Sequence, residues 1–282
     1  MIVASTCESL REQLSYWRDS SERIALVPTM GNLHDGHLSL ISLAREYAER
    51  VVVSIFVNPT QFDEDVDFDK YPRTLESDTR QLEKTNVDLL FIPDIGTMYP
   101  FGITNATLVT VPVLSEEFCG ALRPGHFDGV TSIISRFFNI IQPDVAIFGQ
   151  KDYQQQLIIR HLVEDLQLPL QIVLGPIQRE LDGMAISSRN QYLSKEERSI
   201  APIFYSVLQG IGKALQAGKQ NYAELEQKAI DVLNNAGFHA EYVAIREAEK
   251  LTFPNKDNND IVVLGAVRLG TTRLIDNIIV TV

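Results

Sequence analysis

The sequence predicts an α/β protein: a Rossmann-like, doubly wound parallel sheet over residues 1–176 and a smaller α+β domain over 177–282. Three observations predict it. Short apolar runs alternate with stretches of helical period, and two of them, Arg50–Val57 and Asp144–Gly149, are apolar almost throughout. Strands buried on both faces of a parallel sheet have that composition. The first strand runs into a turn with two glycines and then a helix, a βα unit that presents backbone N–H groups to an anion. Past Pro176 the alternation stops, and two helical patterns precede three strand-like runs.

In chain order, residues 6–19 predict an amphipathic helix and 24–28 the first strand. The glycine turn follows, then a helix to about residue 49 carrying Leu38, Ile41, Leu43, Ala44 and Tyr47. Strand 50–57 is broken by Asn58-Pro59-Thr60-Gln61-Phe62. The acidic stretch Asp63 to Asp69 predicts a loop, and because it is polar and adjoins Gln61 it is the candidate gate. A helix at 73–85, a strand at 87–93 and an alternating strand at 107–113 come next. Arg123–Gly129 predicts a loop before a helix from about 130 to 141. Strand 144–149, a helix from Lys151 to about 165 and strand 170–174 complete the sheet. The C-terminal part predicts helices at 195–217 and 221–236 and strands at 241–246, 261–267 and 273–281.

Composition bounds the function. A chain of 282 residues with 45% hydrophobic and 22% charged residues is globular, with room for a sizeable core. A net charge of −12, from 37 acidic and 25 basic residues, disfavours a nucleic-acid partner. It leaves room for a phosphate ligand, because a few cations can reverse the field inside a cleft. No apolar run reaches membrane-spanning length, the stretch MIVASTCESLREQL lacks the basic n-region and long apolar h-region of a signal peptide, and Cys7 and Cys119 fit neither a disulfide nor a metal framework. A cytoplasmic protein is expected.

The chemistry gathers in four places. Gly31 and Gly36 have P-loop spacing, but His37-Leu38 stands where Lys-Ser/Thr would be, and no G-x-G-x-x-G follows the strand. The turn carries His34-Asp35-Gly36-His37 instead, two imidazoles on one face at a helix mouth. Such a pair suits charge building on a phosphate during displacement. Taken alone it also fits a helix-capping loop, or an HxxH zinc site with no obvious third ligand. Gly149-Gln150-Lys151-Asp152 lies at a strand's carboxyl end, where open α/β sheets bind ligands. Lys151 there is either a phosphate-binding charge or a solvated turn residue. Ile186-Ser187-Ser188-Arg189-Asn190 offers hydroxyls and a guanidinium fork for phosphate oxygens, or is a polar linker. Asn58–Phe62 and Gln154-Gln155-Gln156 offer amides to a small hydroxylated acid, or are surface polar residues.

In combination these segments are far more specific. VPTMGNLHDGH, SIFVNPTQF, RPGHFDGV with FGQKDYQQ, and ISSRNQYLS closely resemble the pantothenate synthetase (pantoate–β-alanine ligase) family, nearly end to end, out to RLIDN at 273–277. The resemblance implies an HxGH nucleotidyltransferase, with a KMSKS-like loop at Ile186-Ser187-Ser188-Arg189. It implies an ATP-dependent condensation of pantoate with β-alanine through a pantoyl adenylate. By position, it assigns ATP to Met30, Gly31, Asn32, Leu33, His34, Asp35, Gly36 and His37, and to Gly149, Gln150, Lys151 and Asp152. It also assigns ATP to Gln178, Ile186, Ser187, Ser188 and Arg189, pantoate and β-alanine to Gln61, and pantoate to Gln155. The resemblance gives the catalytic roles to His37, His34, Lys151 and Arg189, with His37 as proton donor. Mg2+ would come with ATP without a dedicated protein cage, and a homodimer is expected from the family alone. Two positions depart from the pattern: Gln150 replaces a usual glutamate, and Gln178 replaces an aliphatic residue. Two rivals stand beside this reading. One is a nucleotidyltransferase acting on a phosphorylated substrate; the other is a nucleotide-binding regulator without catalysis.

Overall fold

The computed structural model describes residues 1–62 and 65–282, and of 65–67 the main chain only. The chain forms two compact units. One comprises Met1–Gln150 and Gln154–Pro176; the other comprises Lys151–Tyr153 and Ile177–Val282.

The first unit is built on six strands: β1 (Ile2–Ala4), β2 (Ile24–Thr29), β3 (Arg50–Ile55), β4 (Leu89–Phe91), β5 (Val145–Gly149) and β6 (Gln171–Gly175). They lie in the order β1-β4-β3-β2-β5-β6, and every pair is parallel. The chain steps outward from β2 through β3 to β4, then returns to the other side of β2 for β5 and β6. The order therefore reverses between β2 and β5, which is where doubly wound sheets bind ligands beyond their strand ends. The helices are α1 (Cys7–Asp19), α2 (Asp35–Ala44), α3 (Asp65–Lys70), α4 (Leu75–Leu82), α5 (Ile95–Met98), α6 (Cys119–Leu122), α7 (His126–Ile141) and α8 (Tyr153–Asp165).

Successive strand residues point to opposite faces, and the core divides accordingly. Ile24, Leu26 and Val52 pack with Leu10, Leu14 and Trp17 of α1 and Ile133 and Phe137 of α7. Ala25, Val27, Val51 and Val53 pack with Ile41 and Ala44 of α2 and Leu82 of α4. Helices on both faces explain why these strands have almost no polar positions.

In the second unit β7 (His239–Glu247), β8 (Asp260–Leu269) and β9 (Thr272–Thr281) form an antiparallel sheet in chain order. It shares a core with α10 (Ile203–Gln216) and α11 (Tyr222–Asn235) through Phe204, Leu208, Leu233, Ile245, Val263 and Val280. A short helix α9 (Lys195–Ile200) precedes them. The predicted α/β sheet followed by a small α+β part is thus the observed architecture. Among the described residues no helix is long and apolar enough to cross a membrane.

Five local expectations are corrected. Strand β1 is absent from the sequence reading, and it pairs at the sheet edge with β4. Residues 107–113 form no strand, because their polar backbone groups bond to side chains of α7. The Ser132 hydroxyl accepts from Val109 N–H at 2.9 Å, and the Thr131 hydroxyl donates to Val109 O. Helix α7 starts at His126, with Gly125 at φ 81° before it, so His126 and Gly129 are helical rather than loop residues. The pattern at 195–217 is two helices, since Pro202 between Ile200 and Ile203 has no N–H to continue the ladder. Asp65 to Lys70 is helical rather than loop, whereas Asp63 and Glu64, the start of the candidate gate, lie outside the described residues.

Candidate active site

In the first unit the site residues stand at the carboxyl ends of β2, β3 and β5. Strand β2 leads into a turn that Gly31 enters at φ 79° and Asn32 continues at φ 51°. A side chain at Gly31 would press on Asp78 Oδ2 and Ile55 Cγ2, both at 3.1 Å from its Cβ, in a region L-residues avoid. The Thr29 hydroxyl accepts from Gly31 N–H at 3.2 Å and donates to Ser54 O at 2.8 Å. The turn is then fixed from beneath by the buried Asp78 of α4. Its carboxylate accepts from Asn32 N–H and Leu33 N–H, each at 2.9 Å, and from the Thr74 hydroxyl at 3.1 Å. Asp78 is the part of the turn that sequence reading does not find.

His34 occupies the N-cap of α2 in extended conformation, φ −142° and ψ 174°. Gly36 leaves space for its ring: a Cβ there would lie 3.0 Å from His34 Nδ1. The two imidazoles face each other at 4.1 Å between centroids, tilted by 31°. His37 Nδ1 accepts from His34 N–H at 3.4 Å, so the neutral His37 ring carries its proton on Nε2. The ring thus presents a donor at a helix N-terminus, where partial positive charge already favours an anion.

Gln61 sits in a 3-10 turn, Pro59–Gln61, directly after β3. The buried Asn58 orients it: Asn58 Nδ2 donates to Gln61 Oε1 and to Gly129 O, both at 3.1 Å. Asn58 Oδ1 in turn accepts from the Thr60 hydroxyl at 3.1 Å and the Tyr99 hydroxyl at 2.6 Å. Burial pushes the Tyr99 hydroxyl above its usual range, so it stays a donor. With Gln61 Oε1 engaged, Nε2 is the end of this amide left to donate to a ligand. His126 Nδ1 donates to Gln61 O at 2.7 Å, and its Nε2 accepts from Arg123 at 3.2 Å. The RPGHFDGV segment therefore shapes the Gln61 turn.

Gly129 allows α7 this close approach, because a Cβ there would lie 2.3 Å from Thr60 O. Gly129→Ala is expected to destabilise the fold by about 1–3 kcal/mol, because the clash is with the backbone of the Gln61 turn. Thermal melts check this.

At the end of β5, Gln150 N–H donates to Gly175 O at 2.9 Å, closing Gly149-Gln150 against β6. Helix α8 carries Gln155 half-buried. Its neighbour Gln154 is spent on structure, donating to Leu114 O and Glu117 O, each at 2.7 Å.

The second unit holds Lys151, Asp152, Gln178 and the 186–189 loop. Gln178 opens a hairpin whose strands meet at Arg179 and Ala185, and Gln178 O accepts from Ile186 N–H at 2.9 Å. The hairpin delivers Ser187, which caps a 3-10 turn by accepting from Arg189 N–H at 3.3 Å. Asn190 Nδ2 ties that turn back to Glu180 Oε1 and Ala185 O, both at 3.1 Å. A cavity in this unit is lined by Lys151, Ser187, Arg189, Tyr205, Arg273 and Asp276. Lys151, Ser187 and Arg189, separate in sequence, thus line one cavity. Lys151, Arg189 and Arg273 bring three cations to it against the one carboxylate of Asp276, a balance that suits an anion.

A parallel sheet whose reversal point carries a histidine-lined helix N-terminus defines a nucleotide-binding α/β protein. Comparison narrows the class. The family model described as pantoate-beta-alanine ligase matches residues 2–279. A pantothenate synthetase of Azotobacter vinelandii is 50% identical over 282 residues, covering 100% of both chains. The crystal structure of pantothenate synthetase from Thermus thermophilus superposes with a TM-score of 0.91 at 41% identity, covering 99% of each chain. The pantoate-beta-alanine ligase structure from Francisella tularensis, complexed with beta-gamma ATP and beta-alanine, gives 0.78 at 34% identity, covering 99% of this chain and 97% of that one. The chain belongs to the pantoate–β-alanine ligase family.

Proposed function

We propose that this chain joins pantoate to β-alanine at the expense of ATP, with the residues named above in the roles the family resemblance gives them. The His34–His37 pair at the mouth of α2, beside the sheet's reversal point, is the observation that carries the reading. A pantoate carboxylate oxygen attacks the α-phosphorus of ATP, forming the pantoyl adenylate as the bond to the β-phosphate oxygen breaks and pyrophosphate leaves. The amine of β-alanine then attacks the acyl carbon, a proton is lost from nitrogen, and AMP departs. Activation is needed because a carboxylate is a poor electrophile, whereas its mixed anhydride carries a good leaving group.

In the first step an anion approaches an anion. His37 Nε2–H donates to an α-phosphate oxygen, and His34 steadies the helix mouth, so both act on charge that grows in the transition state. Lys151, Ser187, Ser188 and Arg189 take the outgoing pyrophosphate oxygens. The turn from Met30 to His37, the Gly149–Asp152 segment, Gln178 and Ile186 hold the nucleotide, largely through main-chain groups. For that reason Gln150 and Gln178, the two departures from the family pattern, are compatible with binding. Gln61 binds pantoate and β-alanine, and Gln155 binds pantoate. Residues 1–176, apart from Lys151–Tyr153, make up the nucleotide- and pantoate-binding domain, and 177–282 the domain carrying the KMSKS-like loop.

Among the described residues no cluster of three or more His, Cys, Asp or Glu side chains could cage a metal. The Mg2+ expected with ATP would take its ligands from phosphate oxygens and water. A homodimer is carried by the family resemblance alone, and a cytoplasmic location by the sequence composition alone.

Pantoate-dependent ATP–pyrophosphate exchange without β-alanine tests the reading. Exchange is expected with the full chain. A regulator that only binds ATP gives none, and a transferase acting on a phosphorylated acceptor gives none with pantoate. Absence of exchange with folded protein sinks the ligase reading.

A further inference from the structure

Lys151 stands two residues after the end of β5, yet it groups with the second unit. Two hydrogen bonds account for this. Asn277 Nδ2 donates to Lys151 O at 3.0 Å across 126 residues of sequence, and the Tyr153 hydroxyl donates to Ala248 O at 2.8 Å. Asn277 is 1% exposed, so its amide is a built contact rather than a surface accident. Its neighbour Asp276, 4% exposed, receives both arms of Arg179, at 2.7 and 2.9 Å, and accepts Asn277 N–H at 2.7 Å. The same guanidinium donates to Gly183 O at 3.0 Å and Asn277 O at 3.3 Å, and lies 3.6 Å over the Tyr205 ring.

Arg179 and Gly183 belong to the hairpin that delivers Ser187 and Arg189. Asp276 and Asn277 belong to β9, which holds the Lys151 main chain. One bidentate ion pair therefore joins the two segments that supply the cavity's phosphate-binding groups, and burial of its Asp276 carboxylate beside Asn277 makes an unpaired state costly. A lysine on a flexible four-carbon stem otherwise spends binding energy on being ordered. A fixed main chain removes part of that cost.

We propose that Asn277, braced by the Asp276–Arg179 pair, is the positioning residue that sets Lys151 beside Ser187 and Arg189, so that the polyphosphate-binding groups form one preassembled cluster. The proposal rests on the ligase reading and adds a residue to it. Asn277 touches no reacting atom; it acts through Lys151.

The test is a double-mutant cycle on the full chain, read by calorimetric titration of α,β-methylene-ATP. Asn277→Asp keeps the shape but replaces the donor with an acceptor facing Lys151 O. Lys151→Ala removes the group that Asn277 is said to position. Each variant is expected to weaken the analogue about tenfold, and Asn277→Asp should add less than about twofold in the Lys151→Ala background. Pantoate affinity should stay at the wild-type value throughout. Unchanged analogue affinity in Asn277→Asp overturns the proposal. So does an equal loss in both backgrounds, which marks a merely structural role. If Asn277→Asp does not fold, Asn277→Ala, which removes the donor without adding repulsion, is put through the same cycle with the same criteria. Wild-type protein that shows no pantoate-dependent exchange indicts the ligase reading instead, while the binding cycle still decides on Asn277.

Discussion

Replacing His37 by Ala should slow adenylate formation by about two to four orders of magnitude, the range for a lost acid–base or charge-stabilising group. The melting temperature should hardly move. The reasons for the two halves differ. The ring is partly exposed and outside the buried core, and its acceptance from His34 N–H is long at 3.4 Å, so no core packing is lost. The chemical loss is large because Nε2–H sits where α2 already presents its N-terminal dipole, and the two effects act on the same oxygen. His37→Gln separates donation from titration. It places an amide N–H near the position of Nε2 and should recover part of the loss without a histidine's pH dependence. Rapid-quench measurement of pantoyl adenylate in a single turnover is the direct check, and a near-wild-type rate for His37→Ala would remove the residue from the mechanism.

How far such a site can be seen in sequence depends on how local its parts are. The His34–His37 pair is legible because strand, turn and helix lie within one short stretch, and the i, i+3 spacing alone brings the rings together. Lys151 is legible as a strand-end cation, but its anchorage to Asn277 is not, since a hydrogen bond across 126 residues leaves no local trace. Gln61 and Gln155 stand out only through the family resemblance; as bare amides they look like surface residues. His126 and Gly129 are visible as a motif without a role, because that role is to touch the turn after another strand. The fold's errors have the same cause. Strand β1 is apolar throughout, but at three residues, Ile2–Ala4, it is too short to carry a pattern that marks a strand. Residues 107–113 alternate as a strand does but find no strand to pair with. Alternation states what a backbone could do; partners decide what it does.

Asp78→Ala should be the most damaging substitution outside the groups that meet substrate. In sequence Asp78 reads as one more solvated acid on a helix that also carries Glu76. In the fold it is 1% exposed and receives Asn32 N–H and Leu33 N–H from a turn more than forty residues away in the chain. Truncation strips the acceptor from the buried Leu33 N–H, at about 1–3 kcal/mol, and from the part-buried Asn32 N–H, at somewhat less. A stability loss of about 2–5 kcal/mol should follow. The loss in function is expected to exceed that of a general destabilisation. Gly31 takes its positive φ freely, but Asn32 beside it holds φ 51°, a strained geometry for a residue with a side chain that persists only while its surroundings over-determine it. Without the carboxylate the turn relaxes, His34 and His37 lose their common orientation, and adenylate formation should fall at least about a hundredfold even at low temperature where the variant is folded. Asp78→Asn discriminates between charge and geometry. It keeps one acceptor oxygen, so it should restore one of the two N–H bonds and return stability before it returns rate. Denaturant melts give the first quantity and single-turnover rates in the cold the second. A folded Asp78→Ala protein with wild-type adenylation would show that the turn holds its shape without the carboxylate.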